Sequence, residues 1–357
     1  MPFRLRGNGR FRGATTILDI GIVNNMPGKA LAATERQFLT LLEAAAQGIE
    51  VRLSLYALPD VPRTGAGRDH IGRFYSSIDD LWNRRLDGLI VTGMAPKAAN
   101  LRDEPCWPHM AKLIEWAGRN THSTIWSCLA AHAAVLHLDG IERRRLAEKR
   151  FGLFECDRVS EHRLTSGMPS RLVIPHSRWN DLPEEGLVRS GYRVLTRGDA
   201  AGADLFVKQR QSLFVFFQGH PEYDADTLLL EYLRDVGQYL RRESESYPPM
   251  PRRYLDRDTA QALAALQQRA LSERRNDLLP DDLLPDDLLQ DDLLQDHLLR
   301  DDLVRDLRAA LHPSNLANIW RSPATRIYCN WLRYLTARKQ PQMSLPLGRP
   351  RETTLHS

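Results

Sequence analysis

The chain has 357 residues, of which 42% are hydrophobic and 26% are charged. This composition is ordinary for a globular protein with one large domain or two smaller ones. The net charge is only +4, from 49 basic and 45 acidic residues, which argues against a dedicated nucleic-acid-binding protein.

Strand-like and helix-like segments alternate after an Arg/Gly-rich arm at 1–15. Runs rich in β-branched residues predict strands, and apolar residues at helical spacing predict helices. The alternation predicts an α/β fold, with a doubly wound, mostly parallel sheet and helices on both faces. The predicted strands cover 16–23, 51–58, 86–94 and 123–128, and the predicted helices cover 34–47, 79–86, 107–120 and 129–141.

The second half of the chain adds further strands, one clear helix and an unusual repeat. We expect one large α/β domain over 16–257, with further strands at 171–180, 192–197, 203–209 and from 212, and a helix at 227–240. Residues 276–307 repeat Asp-Asp-Leu-Leu-x every five positions, a period that keeps no single helical face. We expect 258–317 to be a flexible or partly helical insertion without a catalytic role; a partner-binding segment is the alternative. A helix at 318–336 is expected to pack on the core, followed by a tail at 337–357.

The cysteines and apolar runs indicate a cytoplasmic protein. The four cysteines are widely spaced, without a C-x-x-C pair or a Cys/His cluster at metal-ligand spacing. We therefore expect neither disulfides nor a bound metal. No apolar run approaches the roughly 20 residues of a membrane span, and the N-terminus lacks the apolar stretch of a secretory signal. We expect no membrane or nucleic-acid partner.

Cys128 stands where a predicted strand, STIWSC, meets a predicted helix, LAAHAAVLHL. At the carboxyl edge of a parallel sheet, such a position exposes a side chain to the positive end of a helix, which favours a thiolate. A lone cysteine is more often a small buried residue. A second motif favours function: QGHPEYD follows an apolar strand and offers His220 and Glu222. A thiol nucleophile, a base and a group that orients the base make a catalytic triad. His176, in PHSR, is expected to contact a polar substrate.

These residues and others resemble the bacterial homoserine O-succinyltransferases, enzymes of methionine biosynthesis with a class I glutamine-amidotransferase-like fold. The resemblance covers roughly residues 17–250 and 318–336. The matching segments run in the family's order, and GHPEYD with the downstream EYLRD is the most specific of them. They are NNMPGK with ATERQFLTLL, DGLIVTG, STIWSC, GI…EKRFG, PHSRWND, GHPEYD…TLLLEYLRD and WRSPATRIYCNWLRYL.

The resemblance implies roles for individual residues. It places the nucleophile at Cys128 and the catalytic His and Glu at His220 and Glu222. It implies substrate contacts for Lys149, Ser177, Arg234 and Lys29, and a homodimer. The backbone near Cys128 and the Thr92-Gly93 turn are expected to hold the oxyanion.

The chain departs from the family pattern at three places. Cys128 is followed by Leu-Ala-Ala-His rather than by Trp, a small pair and Gln, so His132 stands at the Gln position. The position that tunes the acyl group, Gly for succinyl or Glu for acetyl, falls on Lys97, whose ammonium is suited to a succinyl carboxylate. The repeat interrupts the C-terminal part, and the segment around Lys29 is about two residues longer than usual.

The resemblance implies a ping-pong transfer of a succinyl group from succinyl-CoA, through a Cys128 thioester, to the hydroxyl of homoserine, with no bound cofactor. The first alternative is an O-acetyltransferase that uses acetyl-CoA, with homoserine or serine as the acceptor. The second is a glutamine-amidotransferase-type hydrolase, which shares the Cys…His-x-Glu arrangement. An interaction protein that has kept the fold is a non-enzymatic alternative.

Overall fold

The computed structural model describes residues 3–6, 16–94, 96–240, 242–275 and 318–339. Ten strands form one sheet, in the order β1-β3-β2-β4-β5-β10-β9-β8-β6-β7. They are β1 (Phe3–Arg6), β2 (Ile17–Val23), β3 (Glu50–Tyr56), β4 (Leu86–Val91), β5 (Thr121–Ser127), β6 (Arg144–Arg158), β7 (Arg171–Asp181), β8 (Arg193–Gly198), β9 (Gly202–Gln209) and β10 (Leu213–Phe217).

The centre of the sheet, β3-β2-β4-β5-β10, is parallel, and the strands on either side of it pair antiparallel. Helices cover both faces of the sheet, so the predicted α/β class is confirmed. The helices are α1 (Gly28–Ala46), α2 (Gly65–Phe74), α3 (Ile78–Trp82), α4 (Trp107–Asn120), α5 (Leu129–Asp139), α6 (Glu184–Arg189), α7 (Thr227–Leu240), α8 (Arg257–Arg275) and α9 (Arg321–Lys339). None of these described helices is both long and apolar enough to span a membrane.

Two hydrophobic layers lie on the two faces of the sheet, and a third lies beside it. One layer includes residues of α4 and α5, and the other includes residues of α1 and α9. The third joins α7, α8 and Trp320 to the start of the apolar part of β6. In α9 the indole Nε1 of Trp331 donates to Ser123 Oγ of β5 at 2.9 Å. The predicted packing of the C-terminal helix on the core is therefore observed.

Several element boundaries differ from the sequence-based expectations. Residues 3–6 of the N-terminal arm form β1, which pairs with β3. Helix α1 begins at Gly28, directly after Pro27. Proline suits this position because it has no backbone N–H of its own that would need a partner. Residues 258–275 of the expected insertion belong to α8, whose Leu263, Leu266 and Ala270 are buried. The repeat at 276–307 lies outside the described residues.

Gly152 in β6 adopts φ +127° and contacts the segment that leads into α8. The backbone of Arg252 pairs on both sides of it, through Arg252 N to Phe151 O and Leu153 N to Arg252 O, each 2.9 Å. A Cβ at Gly152 would overlap the backbone N and O of Arg252. Only glycine suits both this φ value and this approach of two backbones.

We expect Gly152→Ala to lower the free energy of unfolding by about 3 kcal/mol or more, because strain and backbone overlap act together. Chemical denaturation measures the loss. Gly140→Ala is the control, because Gly140 also has a positive φ, of +67°, but open space around it; about 1 kcal/mol is expected there. Equal losses in the two variants would contradict the role of the Arg252 contact.

Candidate active site

Cys128 lies between β5 and α5 in a conformation that is rare for a residue with a side chain. Its φ is +51° and its ψ is −113°. The backbone is held on both sides, since Cys128 N–H donates to Phe217 O at 2.7 Å and Ala131 N–H donates to Cys128 O at 3.0 Å. Strained backbone of this kind persists where the surrounding structure fixes it, often at functional sites. The turn presents the thiol at the carboxyl edge of the parallel strands.

Cys128 also differs from the other cysteines in exposure. Cys106, Cys156 and Cys329 are buried, whereas Cys128 is half-buried. Burial raises the pKa of the Cys106 and Cys156 thiols. The first N–H groups of α5 follow Cys128 directly and have no partner further back in the helix, so they favour a negative charge at the sulfur or on a bound oxyanion.

The imidazole of His220 lies near the Cys128 side chain, whose charge and hydrogen-bonding group raise the pKa of the imidazole. On the other side of the ring, Nδ1 lies 2.8 Å from Glu222 Oε1. The loop is held in place because His220 N–H donates to Pro175 O at 2.8 Å, and Ser127 Oγ donates to the same Glu222 oxygen at 3.3 Å. Cys128, His220 and Glu222 therefore form the linear arrangement of a nucleophile, a base and an orienting carboxylate.

The charge state of this arrangement follows from two opposing effects. Burial lowers the pKa of His220. The charges of Cys128 and Glu222 and the hydrogen-bonding groups of both raise this pKa by more than burial lowers it. The net result is a pKa well above the ordinary histidine value. Because Glu222 is only 3% exposed, little water screens its charge. The site therefore favours an imidazolium next to the sulfur.

A partly buried carboxylate, Glu231 of α7, connects the triad to the neighbouring polar residues. The ring of Tyr223 stacks on His220 at 4.2 Å, and its hydroxyl donates to Glu231 Oε1 at 2.5 Å. Ser177 Oγ donates to Glu231 Oε2 at 2.5 Å. Burial, together with the charge of Glu231, raises the pKa of Tyr223, which keeps the phenol protonated as a donor.

One turn further along α7, Asp235 binds two cations. Lys149 Nζ lies 2.8 Å from Asp235 Oδ2, and Arg234 Nε and Nη2 lie 2.9 and 2.7 Å from Oδ1. The Lys149 side chain is 7% exposed, and that of Arg234 is 40% exposed. Within the described residues, Arg234 Nη1 makes no hydrogen bond, so it can bind a ligand.

The turn after β4 lies directly against the nucleophile. A Cβ built on Gly93 would stand 3.5 Å from Cys128 Cβ and 3.3 Å from Leu129 N. Thr92 Oγ1 accepts from Asn25 N–H at 2.8 Å and donates to Gly93 O at 3.0 Å, which fixes the turn. A bound carbonyl oxygen could thus lie between this turn and the start of α5.

The family model for homoserine O-succinyltransferase matches residues 11–342 of the chain. The chain belongs to the homoserine O-succinyltransferase family. It is 52% identical over 261 residues to "Homoserine O-succinyltransferase" of Rhodopseudomonas palustris, covering 73% of this chain and 78% of the relative. It is 48% identical over 258 residues to the protein of that name from Bradyrhizobium japonicum, covering 72% and 79%.

One solved structure to which the chain aligns is described as "Crystal structure of glutamine amido transferase from Methylobacillus Flagellatus". It aligns with a TM-score of 0.45 at 15% identity, over 96% of this chain and 100% of that chain. Homoserine O-succinyltransferases transfer acyl groups and belong to methionine biosynthesis, and the family assignment agrees with the resemblance seen in the sequence.

Most of the residues that the family resemblance pointed to lie together. Ser177, Lys149 and Arg234 lie on one side of His220, joined through Tyr223, Glu231 and Asp235, and the Thr92-Gly93 turn lies on the Cys128 side. Two of the residues stand apart. The side chain of Lys97 is exposed, and its backbone N–H donates to Glu104 Oε1 at 2.6 Å. The backbone of Lys29 is in α1, and its side chain lies outside the described residues.

His132 and His176 contact the two residues before His220 and so support the loop that carries it. His132 Nε2 lies 3.0 Å from Gln218 Oε1, two residues before His220, and burial lowers its pKa to about 3, which keeps it neutral. The expectation that His176 contacts a substrate is wrong, because the side chain is 0% exposed. Its bulk instead lies under Gly219, where it supports the loop that carries His220.

One buried group among the described residues, Cys156, His176 and Asp204, has ligand atoms within 4.8 Å of one another, as a metal site would require. The protein already uses several of these atoms, although His176 Nε2 has no hydrogen-bond partner among the described residues. His176 Nδ1 accepts from Arg178 Nε at 3.2 Å, and Asp204 accepts from Thr196 Oγ1 and Gly219 N–H at 2.9 and 3.2 Å. The adjacent guanidinium also disfavours a cation. We therefore assign this group to positioning the His220 loop.

Proposed function

We propose that the protein is a homoserine O-succinyltransferase that transfers the succinyl group of succinyl-CoA to homoserine through a thioester on Cys128. The observation that carries the proposal is the strained, half-buried Cys128 beside His220, whose Nδ1 lies 2.8 Å from Glu222 Oε1. This is the geometry that a ping-pong acyl transfer needs. The names of the relatives and the chain's family membership support the choice of substrates.

In the first half-reaction His220 takes the thiol proton, and the Cys128 sulfur attacks the carbonyl carbon of succinyl-CoA. The oxyanion that forms lies between the N–H groups at the start of α5 and the Thr92-Gly93 turn. The intermediate breaks the bond to the CoA sulfur, which takes the proton from the imidazolium. Exchange of one thioester for another changes the free energy little, so a thiol nucleophile suits this donor.

In the second half-reaction the hydroxyl of homoserine attacks the acyl-enzyme. His220 takes the hydroxyl proton and returns it to the Cys128 sulfur as the ester leaves. Arg234, with a free Nη1, is suited to the carboxylate of the amino acid. Glu231, Ser177 and Lys149 place polar and charged groups beside it, where they can orient the acceptor. All of the proton transfers use side chains of this chain. Besides homoserine, the reaction needs only the acyl-CoA co-substrate.

The test is product formation by the purified protein. We expect O-succinylhomoserine and free CoA from succinyl-CoA and homoserine, with lower rates from acetyl-CoA and from serine. Faster turnover of acetyl-CoA would replace the proposed donor, and faster turnover of serine would replace the proposed acceptor. Ammonia release from glutamine without acyl transfer would favour the hydrolase alternative. As further parts of the proposal, the enzyme is cytoplasmic, in line with its widely spaced cysteines, and homodimeric, as the family resemblance implies.

Arg234→Gln should raise KM for homoserine by roughly 10- to 100-fold, because a charge-assisted hydrogen bond to the acceptor is lost. The rate of acyl-enzyme formation from succinyl-CoA should change little, since homoserine takes no part in that step. Steady-state and single-turnover assays separate the two effects. Arg197→Gln is the control, because Arg197 forms an exposed pair with Glu184 at 3.0 Å. An unchanged KM for homoserine in Arg234→Gln would contradict the assignment.

A further inference from the structure

The proposed function leaves one chemical requirement open: the charge at the far end of a succinyl group. Succinyl-CoA carries a carboxylate two methylenes from the thioester carbonyl, and acetyl-CoA does not. A cation near Cys128 would bind that carboxylate and so favour the first donor over the second. This inference rests on the proposed function, because it concerns the acyl donor of the same site.

Arg143 precedes β6 and reaches the loop between β4 and α4. Its Nη2 donates to Ala98 O at 3.4 Å and to Ala99 O at 3.1 Å. Its Nη1 is buried and has no hydrogen-bond partner among the described residues. A buried guanidinium nitrogen without a partner is costly, so this atom is ready to bind an acceptor that a ligand supplies.

Arg143 binds the loop that begins at the Thr92-Gly93 turn, and this turn packs against Cys128 and Leu129 at the start of α5. Burial lowers the pKa of the Arg143 guanidinium, and the charge of Cys128 is among the causes that oppose this shift. Burial also lowers the pKa of His132, one turn after Cys128 in α5, and the charge of Arg143 adds to that shift. The other charges that act on Arg143 come from Glu104 and Arg145. Glu104 is engaged through Oε1, which accepts from the N–H groups of Lys97 and Ala98. The loop that Arg143 holds is therefore the one that follows the Thr92-Gly93 turn.

The other cations around the site are already paired or point to solvent. Arg178 is bound by Asp181, by His176 and by backbone carbonyls, and Lys149 and Arg234 both bind Asp235 on the acceptor side. Lys97 is exposed. Among the described residues, Arg143 thus combines proximity to Cys128 with an unpaired buried donor.

A cavity lies beside this loop, between α4 and the start of α5, and its lining includes Leu129, the residue after Cys128. Its walls are largely apolar and are suited to methylene groups. They are formed by Thr92, Met94, Leu101, Glu104, Cys106, Trp107, Met110, Leu129, Ala130 and Ala133. We propose that Arg143 binds the distal carboxylate of the succinyl group through Nη1 and thereby selects succinyl-CoA over acetyl-CoA.

The experiment compares acylation of Cys128 by succinyl-CoA and by acetyl-CoA, without acceptor, in the full-length protein and in Arg143→Gln. Intact-protein mass at short times gives the two rates. We expect the ratio of succinylation to acetylation to fall by roughly 10- to 100-fold in Arg143→Gln, with acetylation little changed. Arg143→Lys keeps the charge and should recover part of the ratio. Arg145→Gln is the matched control, because Arg145 is exposed and contacts the Trp179 ring.

The outcomes separate this inference from the proposed function. A wild-type protein that neither donor acylates overturns both, and so does a wild type that prefers acetyl-CoA. A wild type that prefers succinyl-CoA, with the same ratio in Arg143→Gln, overturns only the role of Arg143. A ratio that changes in Lys97→Gln but not in Arg143→Gln assigns the carboxylate to Lys97 instead. Equal loss with both donors shows that Arg143 supports the loop and overturns its role in recognition.

Discussion

Cys128→Ala should lose at least about 10⁴-fold in acyl transfer, because the covalent route requires the sulfur. No succinyl adduct should appear when the variant is mixed with succinyl-CoA in the absence of homoserine. The wild-type protein should gain one succinyl group on Cys128 within the time of a single turnover. Intact-protein mass, followed by peptide mapping, measures both results.

The fold should tolerate this change, since alanine at φ +51° carries the same backbone strain as cysteine. A similar unfolding midpoint for wild type and variant would show that lost activity is not lost structure. Cys329→Ala is the matched control, because Cys329 is a buried residue of α9 and its Sγ donates to Gln47 Oε1 at 3.1 Å. That variant should keep both the adduct and the transfer. Transfer by Cys128→Ala at the wild-type rate would eliminate the thioester mechanism.

Glu222→Gln should slow acylation by about 10²- to 10³-fold and change its pH dependence. The charge of Glu222 is one of the causes that raise the pKa of His220. In the wild type the imidazolium therefore persists well above the ordinary histidine pKa, and it protonates the departing CoA sulfur. Activity that requires the imidazolium is present below the His220 pKa and is lost as the pH rises through it. Removing the Glu222 charge lowers that pKa, so the alkaline loss of activity should move to lower pH.

Single-turnover release of CoA, followed from acid to alkaline pH, measures the shift. Ser127→Ala is the comparison variant, because it removes the 3.3 Å hydrogen bond to Glu222 Oε1 but keeps the carboxylate charge. Its alkaline limb should move much less than that of Glu222→Gln. An identical limb in wild type and Glu222→Gln would show that another group sets the pH dependence.

The residues that we propose as catalytic stand out in the sequence because they come at the ends of apolar strands. Cys128 follows β5 and His220 follows β10, and these two strands are parallel neighbours in the sheet. Strands that are buried on both faces are easy to recognise as continuous apolar runs. Helices α4 and α5 could be predicted equally well from the sequence. Helix α4 spans the predicted 107–120, and α5 ends at Asp139, just before Gly140.

The antiparallel side of the sheet was harder to predict. The first half of β6 is mainly exposed and charged, so no alternation of apolar residues marks it as a strand. Its pairing with β7 also shifts register between Arg145 and Arg150. Only the tertiary structure shows that the strand continues through this stretch.

The sequence analysis does not identify Glu231 and Asp235 as site residues, for a related reason. Carboxylates on a helix such as α7 have the same sequence pattern as a solvated helix face, and only the structure shows which of them bind inward-facing partners. Arg143 belongs to a run of three arginines, 143–145. Burial of a single guanidinium nitrogen distinguishes it from its neighbours, and that depends on a loop some forty residues earlier, which local sequence does not encode.

Helix α9 has a consequence for how the protein is made. A ribosome produces β4 and β5 long before α9, although Trp331 of α9 bonds to Ser123 of β5, 208 positions earlier. Until the chain has been synthesised through Lys339, the sheet face that α9 covers stays open to water and to other nascent chains. The strands that carry Cys128 and His220 are complete well before that point. The nascent protein therefore passes through a stage in which β5 and β10 are complete but the sheet face beneath α9 is exposed. During that interval it depends most on chaperones to shield this apolar face.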